Sequence, residues 1–171
     1  LEALERSGWY ALKCGDTIQY IKSIELKVRV FNYYEDSLQI FKITKQVVSL
    51  YNKYGAPEKA AQALPIAIAT KLQYHKYDEA QILMSIFENQ SGYFDGNGNI
   101  IPRYSNYYAC KAQYYLGIQE LDSAEIYLKK LKEAGQELDA YQGLIDLYQK
   151  KEATDSVLYY CKLSEDARNI K

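Results

Sequence analysis

An all-α chain of paired helices is the fold class this sequence predicts, and three observations predict it. A phrase recurs three times: YDEAQILMSIF from Tyr77, LDSAEIYLKKL from Leu121 and TDSVLYYCKLS from Thr154. In each, an Asp is followed two residues later by a small or β-branched apolar residue. After it come positions i+3, i+4 and i+7, apolar except for Ser164: Ala80, Leu83, Met84, Phe87; Ala124, Tyr127, Leu128, Leu131; Val157, Tyr160, Cys161, Ser164. That spacing is the buried stripe of an amphipathic helix. A second stripe precedes the phrases, complete as Tyr141, Leu144, Ile145, Tyr148 and interrupted by Lys111 as Tyr108, Ala112, Tyr115. The unit is a helical hairpin, with a step of 33 residues from Ala124 to Val157 and 44 from Ala80 to Ala124, so the first interval holds about ten extra residues.

Taken in order, the hairpins are expected at about 17–54, 57–91, 103–135 and 138–169 of a single domain spanning 1–171, with a loop insertion at 92–102. The first rests on the face Ile21, Ile24, Val28, Phe31, with Ser37 to Tyr54 as its partner. Gly55 and Pro57 then stop one helix and start the next. Asp78, Asp122 and Asp155 stand where N-caps are expected, and Asp122 with Glu125 and Asp78 with Gln81 have capping-box spacing. The ends, LEALERSGWYAL and SEDARNIK, are themselves helix-like, and with no initiator Met the chain is expected to be an excerpt of a longer protein.

Composition narrows the function classes. With 21 Lys plus Arg against 22 Asp plus Glu, the formal charge of −1 gives no electrostatic reason to expect nucleic acid or an anionic membrane. The longest apolar run, Ala63 to Thr70, contains Pro65 and falls far short of the roughly 20 residues that span a bilayer, so no membrane contact is expected of this segment. Three cysteines, Cys14, Cys110 and Cys161, form no CxxC pair and are expected as core thiols. The 19 tyrosines include the doublets 33–34, 107–108, 114–115 and 159–160; one ring of each pair is expected at a packing position and its neighbour elsewhere.

Candidate chemistry is sparse. FDGNGNI, Phe94 to Ile100, begins like a calcium loop, but the sixth and twelfth places counted from Asp95 hold Ile100 and Asn106 instead of Gly and Glu. Its Asp-Gly and Asn-Gly steps between apolar flanks predict a tight turn or small hairpin. The one histidine, His75, falls in an exposed turn. The acidic residues offer many pairings, none in an unusual setting. No nucleophile–base pair, metal cluster or phosphate loop is present in the sequence, so neither an enzyme nor a bound cofactor or metal is expected.

The hairpin unit resembles the tetratricopeptide repeat. The likeness rests on an aromatic at the fourth position (Tyr108, Tyr141), Ala112 or Ile145 at the eighth, Tyr at the eleventh (Tyr115, Tyr148) and the Asp-x-Ala turn. It is good over 105–165, moderate over 61–89 and poor before that. More narrowly, GYFDGNGNI, YYACKAQYYLGIQELDSAEIYLKKL and AYQGLIDLYQKKEATDSVLYY are similar to repeat regions of membrane-anchored sensor proteins in Bacteroides-like bacteria. The resemblance implies a right-handed superhelical array of antiparallel helix pairs. It also implies a periplasmic or cell-envelope position, and a role in signal transduction or scaffolding through binding a protein or peptide. Family positions lining the concave face fall on Asn106, Gln113, Asp139, Gln142, Asp146 and Gln149, the expected partner groove, and further back on Gln62, Pro65, Ala69 and Gln73. The positions that clamp a peptide carboxylate in chaperone-binding members hold Pro65, Ala69, Cys110, Asp139 and Gly143 here, which disfavours that partner. A glycan or other small ligand is the alternative, because helical-repeat lipoproteins of similar bacteria bind glycans and tyrosine rings can stack on sugars.

Overall fold

The computed structural model describes residues 1–34 and 36–169, with Asn32 and Ser37 described as backbone alone. The end of SEDARNIK, Ile170 and Lys171, lies outside the described residues. Helix makes up 78% of the chain, and no strand occurs among the described residues. In order the helices are α1 (Glu2–Lys13), α2 (Thr17–Tyr33), α3 (Ser37–Lys53), α4 (Pro57–Gln62), α5 (Pro65–Gln73), α6 (Tyr77–Gln90), α7 (Tyr107–Gly117), α8 (Leu121–Glu133), α9 (Glu137–Lys150) and α10 (Thr154–Asn169). Helices pack in consecutive pairs, α1 on α2, α2 on α3 and α3 on α4, and α7 on α8, α8 on α9 and α9 on α10, consistent with a helical repeat array.

The chain forms two compact units. In the first, Leu1–Tyr74 with Asp78–Gly92, α2 packs on both α1 and α3, and α3 packs on α4 and α5. Its core joins Ile21, Ile24 and Val28 of α2 to Ile40, Ile43, Val47 and Tyr51 of α3, and closes on Ala60. The helix expected from 57 onward is broken: α4 ends at Gln62 and α5 begins at Pro65. Pro65 has no N–H to donate back along the helix, so the ladder is interrupted there although Leu64 keeps helical backbone at φ −72 and ψ −27. Gln62 ties the short α4 to the end of α6 by donating from Nε2 to the Ser91 carbonyl at 2.9 Å.

In the second unit, His75–Tyr77 with the chain from Tyr93 onward, α7 packs on α8 and α9, and α9 packs on α8 and α10. The core is Ala112, Ala124, Leu128, Tyr141, Leu144 and Leu147. Ala124 is fully buried, as its place in the stripe predicts. At Gly143 of α9 the Leu128 side chain of α8 packs directly on the backbone, where a Cβ would stand 2.3 Å from Leu128 Cδ2. Each fully buried leucine here contributes roughly 1.5–3 kcal/mol by leaving water.

Six helix ends share one recipe. A residue with positive φ, then one linker residue, then the next helix: Gly15, Gly55, Gly135, and equally His75, Gln119 and Glu152. The linker N–H reaches back five residues, as in Asp16 N to Ala11 O at 2.9 Å, Glu120 N to Tyr115 O at 2.9 Å and Ala153 N to Tyr148 O at 3.0 Å. These bonds satisfy helix-end carbonyls that would otherwise lack a donor.

Three sequence expectations are corrected. Asp78, Asp122 and Asp155 are each the second residue of their helix, so they sit inside the first turn rather than at the cap, and the N-cap of α8 is Glu120 with no side-chain bond. The aspartates that do cap are Asp16 and Asp36, whose Oδ1 atoms accept from Gln19 N at 2.9 Å and Gln39 N at 3.1 Å. Of the cysteines, Cys14 and Cys161 are exposed and Cys110 is half-buried, where burial pushes its thiol up to about 11. Among the doublets, Tyr159–Tyr160 divides its duties as expected, but Tyr33 and Tyr34 are both exposed while Tyr107 and Tyr108 are both buried. The last two are buried because the insertion covers them. Phe94 packs edge-on against Tyr107 at 5.7 Å, and the Tyr108 hydroxyl accepts from Ile100 N at 3.2 Å.

Candidate functional site

Asn106, Gln113, Asp139, Gln142, Asp146 and Gln149 are all exposed. On α9 the four residues Asp139, Gln142, Asp146 and Gln149 recur at helical intervals, so they share one face. Asn106 and Gln113 occupy the same positions one step of 33 residues earlier, matching Asp139 and Asp146. Since α7 packs on α9, the two rows belong to neighbouring helices of one unit. Among the described residues the one hydrogen bond made by these side chains is internal, Gln142 Nε2 donating to Asp146 Oδ1 at 3.3 Å. The set is amide-rich and carries two carboxylates, able to donate and accept along a polar partner such as a peptide main chain. Further back, Gln62 is spent on Glu58 and Ser91, while Ala69 and Gln73 are exposed.

The insertion is a small hairpin. Phe94 and Ile100 form an antiparallel bridge, Asp95 N donates to Asn99 O at 2.9 Å, and Ile101 N donates to Tyr93 O at 2.9 Å. Asp95 organises the turn: its Oδ1 accepts from Asn97 N at 2.9 Å and Asn99 N at 2.8 Å. The Asn99 backbone donor, first among several hydrogen bonds, holds the Asp95 carboxyl below its ordinary range. Tyr93 stacks on Tyr104 at 3.9 Å, Ile100 is buried, and Lys130 of α8 donates to Asn99 Oδ1 at 3.1 Å. The turn is thus as the Asp-Gly and Asn-Gly steps predict; of its apolar flanks Tyr93, Phe94 and Ile100 pack, while Ile101 is exposed. No group of three or more His, Cys, Asp or Glu able to hold a metal ion occurs among the described residues.

A feature not foreseen from the sequence lies between α1, α2 and α3. A pocket of about 460 Å³ is lined by Leu4, Trp9 and Leu12 of α1, Tyr20, Lys27 and Phe31 of α2, and Gln39 and Gln46 of α3. The Lys27 amine and the Glu5 carboxylate pair at 3.0 Å beside it, neutralising each other. Gly8 makes the α1–α2 approach possible, since a Cβ there would stand 2.6 Å from Ser23 Oγ. The missed signal was Trp9 on a helix-like segment: by the shared turn, Trp9 precedes Gly15 by as many residues as Asp146 precedes Glu152. His75 is exposed, and its Nδ1 lies 2.8 Å from the Tyr77 hydroxyl.

No helix among the described residues is long and apolar enough to cross a membrane. No protein-family model matches the chain, and comparison with curated proteins and with solved structures gave no match.

Proposed function

We propose that this chain is a non-catalytic interaction module that presents the polar face of α7 and α9 to a protein or peptide. The observation that carries the reading is the repetition itself: Asn106 at the N-cap of α7 and Gln113 within it, and Asp139 and Asp146 of α9, are exposed one step of 33 residues apart on two helices that pack together. A ladder of amides and carboxylates at a fixed step suits a partner with regularly spaced donors and acceptors. The resemblance to sensor repeats adds the finer part of the proposal. The pairs wind as a right-handed tetratricopeptide-like superhelix, and the module is the sensory or scaffolding region, on the periplasmic side, of a membrane-anchored signalling protein.

The test is capture of partners from envelope extract by the intact protein and by a variant with Gln113, Gln142, Asp146 and Gln149 changed to Ala. The fourfold variant is expected to keep its melting temperature and lose the captured partner, while changing exposed Lys162 and Glu165 of α10 to Ala leaves capture intact. Equal capture by both variants and the parent would refute the assigned face. A second reading, binding of a glycan or other small ligand, is favoured by the pocket beside Trp9, whose volume is of ligand-site size and whose lining joins rings to the Gln39 and Gln46 amides. Trp9 is the single tryptophan of the chain, so a sugar seated there would shift the protein's intrinsic emission.

A further inference from the structure

Asn97 is the one asparagine of the chain followed by glycine, and the hairpin displays the pair at its tip. Its neighbours are tied down on both sides: Asp95 through the two backbone N–H groups it accepts, Asn99 through Asp95 and Lys130. The Asn97 side-chain amide, in contrast, is exposed and has no hydrogen bond among the described residues. Gly98 has φ +74 and open space within 4 Å of the place a Cβ would take, so nothing shields its nitrogen sterically. We infer that Asn97 is a site of spontaneous covalent modification, losing its amide through a cyclic imide formed with Gly98.

The step balances without any co-reactant except water. The Gly98 backbone nitrogen gives up its proton and attacks Asn97 Cγ; the Gly98 N–Cγ bond forms, the Cγ–Nδ2 bond breaks, and ammonia leaves with the proton. Water then opens the five-membered imide at either carbonyl, giving an aspartyl residue or an isoaspartyl residue in which Cβ has entered the main chain. One bond resists: Gly98 N donates to Asp95 O at 3.0 Å, and it must open before attack. That bond lies in an exposed turn, where local opening requires far less than global unfolding. Asn89 and Asn99 are slower for different reasons. Their following residues, Gln90 and Ile100, carry side chains that crowd the nitrogen, and both amides are engaged, Asn89 Nδ2 to Ser85 O at 2.9 Å and Asn99 as above.

The consequence is local. A fresh carboxylate beside Asp95, or a lengthened main chain in the isoaspartyl form, breaks the register that lets Asp95 collect Asn97 N and Asn99 N, and the hairpin loosens over Tyr107 and Tyr108.

Ageing the intact protein at pH 6 and pH 9, then digesting with trypsin, places all three asparagines in one peptide running from Tyr77 to Arg103. Expected are conversion of Asn97 at least about tenfold faster than Asn89 and Asn99, a rate rising with pH, and isoaspartyl product that an isoaspartyl methyltransferase labels. Asn97→Gln, an exposed change without steric conflict, should remove the product while leaving the melting temperature unchanged. Aged protein should exchange the Asn99 and Ile101 amides faster than fresh. Comparable conversion of the three asparagines, or product persisting in Asn97→Gln, overturns the assignment; unchanged exchange in converted protein overturns the structural consequence.

Discussion

The Tyr148 hydroxyl donates to Glu125 Oε1 at 3.0 Å, joining the end of α9 to the first turns of α8. Two amines complete the cluster: Lys129 reaches Oε1 at 2.8 Å, and Lys151 reaches Glu125 Oε2 at 2.9 Å and Asp122 Oδ1 at 2.8 Å. Asp122 and Glu125, spaced as a capping box, are thus bound to the end of α9 and, for Glu125, to Lys129 one turn on, instead of to their own helix end. The first turn of α8 already begins before Asp122, with the Ala124 N–H donating to Glu120 O at 3.0 Å.

A dependence of stability on pH follows. Hydrogen bonds from Lys129 first, then Lys151, lower the Glu125 carboxyl from 4.5 to about 2, while hydrogen bonds to Asp122 first, then Glu125, raise the Lys151 amine. A carboxylate whose folded value is depressed contributes stability that is fully present above its unfolded value and is lost as pH falls through the folded one. Between about pH 4.5 and 2 the parent should therefore lose stability more steeply than Glu125→Gln. Urea denaturation across that window checks it; parallel curves for the two proteins would show that the cluster is screened by solvent.

Ring geometry gives a second expectation. Tyr115 and Tyr127 stack at 5.5 Å with planes 9° apart, and Tyr148 and Tyr160 repeat both values one step later. A third ring is repeated as well, Tyr108 at 6.2 Å from Tyr127 and Tyr141 at 6.2 Å from Tyr160. Aromatic pairs of this kind contribute about 0.5–1.5 kcal/mol beyond area burial. A double-mutant cycle on Tyr148→Leu and Tyr160→Leu should return a coupling of that order, and Tyr115 with Tyr127 a similar one. Additive losses would mean that the stacks are incidental to packing.

The rings and turns also show which features a sequence can reveal. Periodicity exposed the stripes, because burial repeats at the helical period and Ala124, Leu128 and Leu131 all go inside. Gly15, Gly55 and Gly135 announce positive φ, but His75, Gln119 and Glu152 take the same conformation without glycine, since the helices on either side impose it. Cap identity turned on a shift of two residues, Glu120 standing at the cap where Asp122 was expected, within the ordinary uncertainty of helix ends. Exposure of Cys161 was hidden for another reason: it occupies the stripe position of Leu128, yet no described helix covers α10 there as α9 covers Leu128. The pocket was illegible because its lining comes from three helices and its shape from their spacing. The polar rows on α7 and α9 were legible only through family positions, although their exposure agrees with an open face.

Gly143 sets a third expectation. A methyl group there would meet Leu128 Cδ2 at 2.3 Å, too near for the leucine to remain in place. Gly143→Ala should cost about 1–3 kcal/mol through overpacking, more than the gain from replacing glycine inside a helix. Leu128→Ala creates a cavity by itself, but in combination with Gly143→Ala the new methyl occupies part of that space. The double variant should then be less destabilised than the sum of its parts, measured by urea midpoint and slope. A Gly143→Ala protein as stable as the parent would place the α8–α9 contact elsewhere.

The hairpin supplies the last expectation, that FDGNGNI binds no calcium. A seven-coordinate ion needs carboxylate oxygens facing a common centre. Here the Asp95 Oδ1 atom already accepts two backbone N–H groups, and its Oδ2 receives the Asn99 amide at 3.4 Å. An incoming cation would have to displace donors that hold the turn together, and the twelfth place offers Asn106, exposed on the polar face of the second unit, in place of a bidentate Glu. Adding calcium should leave the melting temperature unmoved in the parent and in Asp95→Ala alike. Asp95→Ala should nonetheless speed exchange of the Asn97 and Asn99 amides, and the parent should show the same loosening as acid protonates Asp95 below its ordinary 3.8, the direction expected of a depressed carboxyl. A calcium-dependent rise in melting temperature, present in the parent and absent in Asp95→Ala, would turn the turn back into a metal loop.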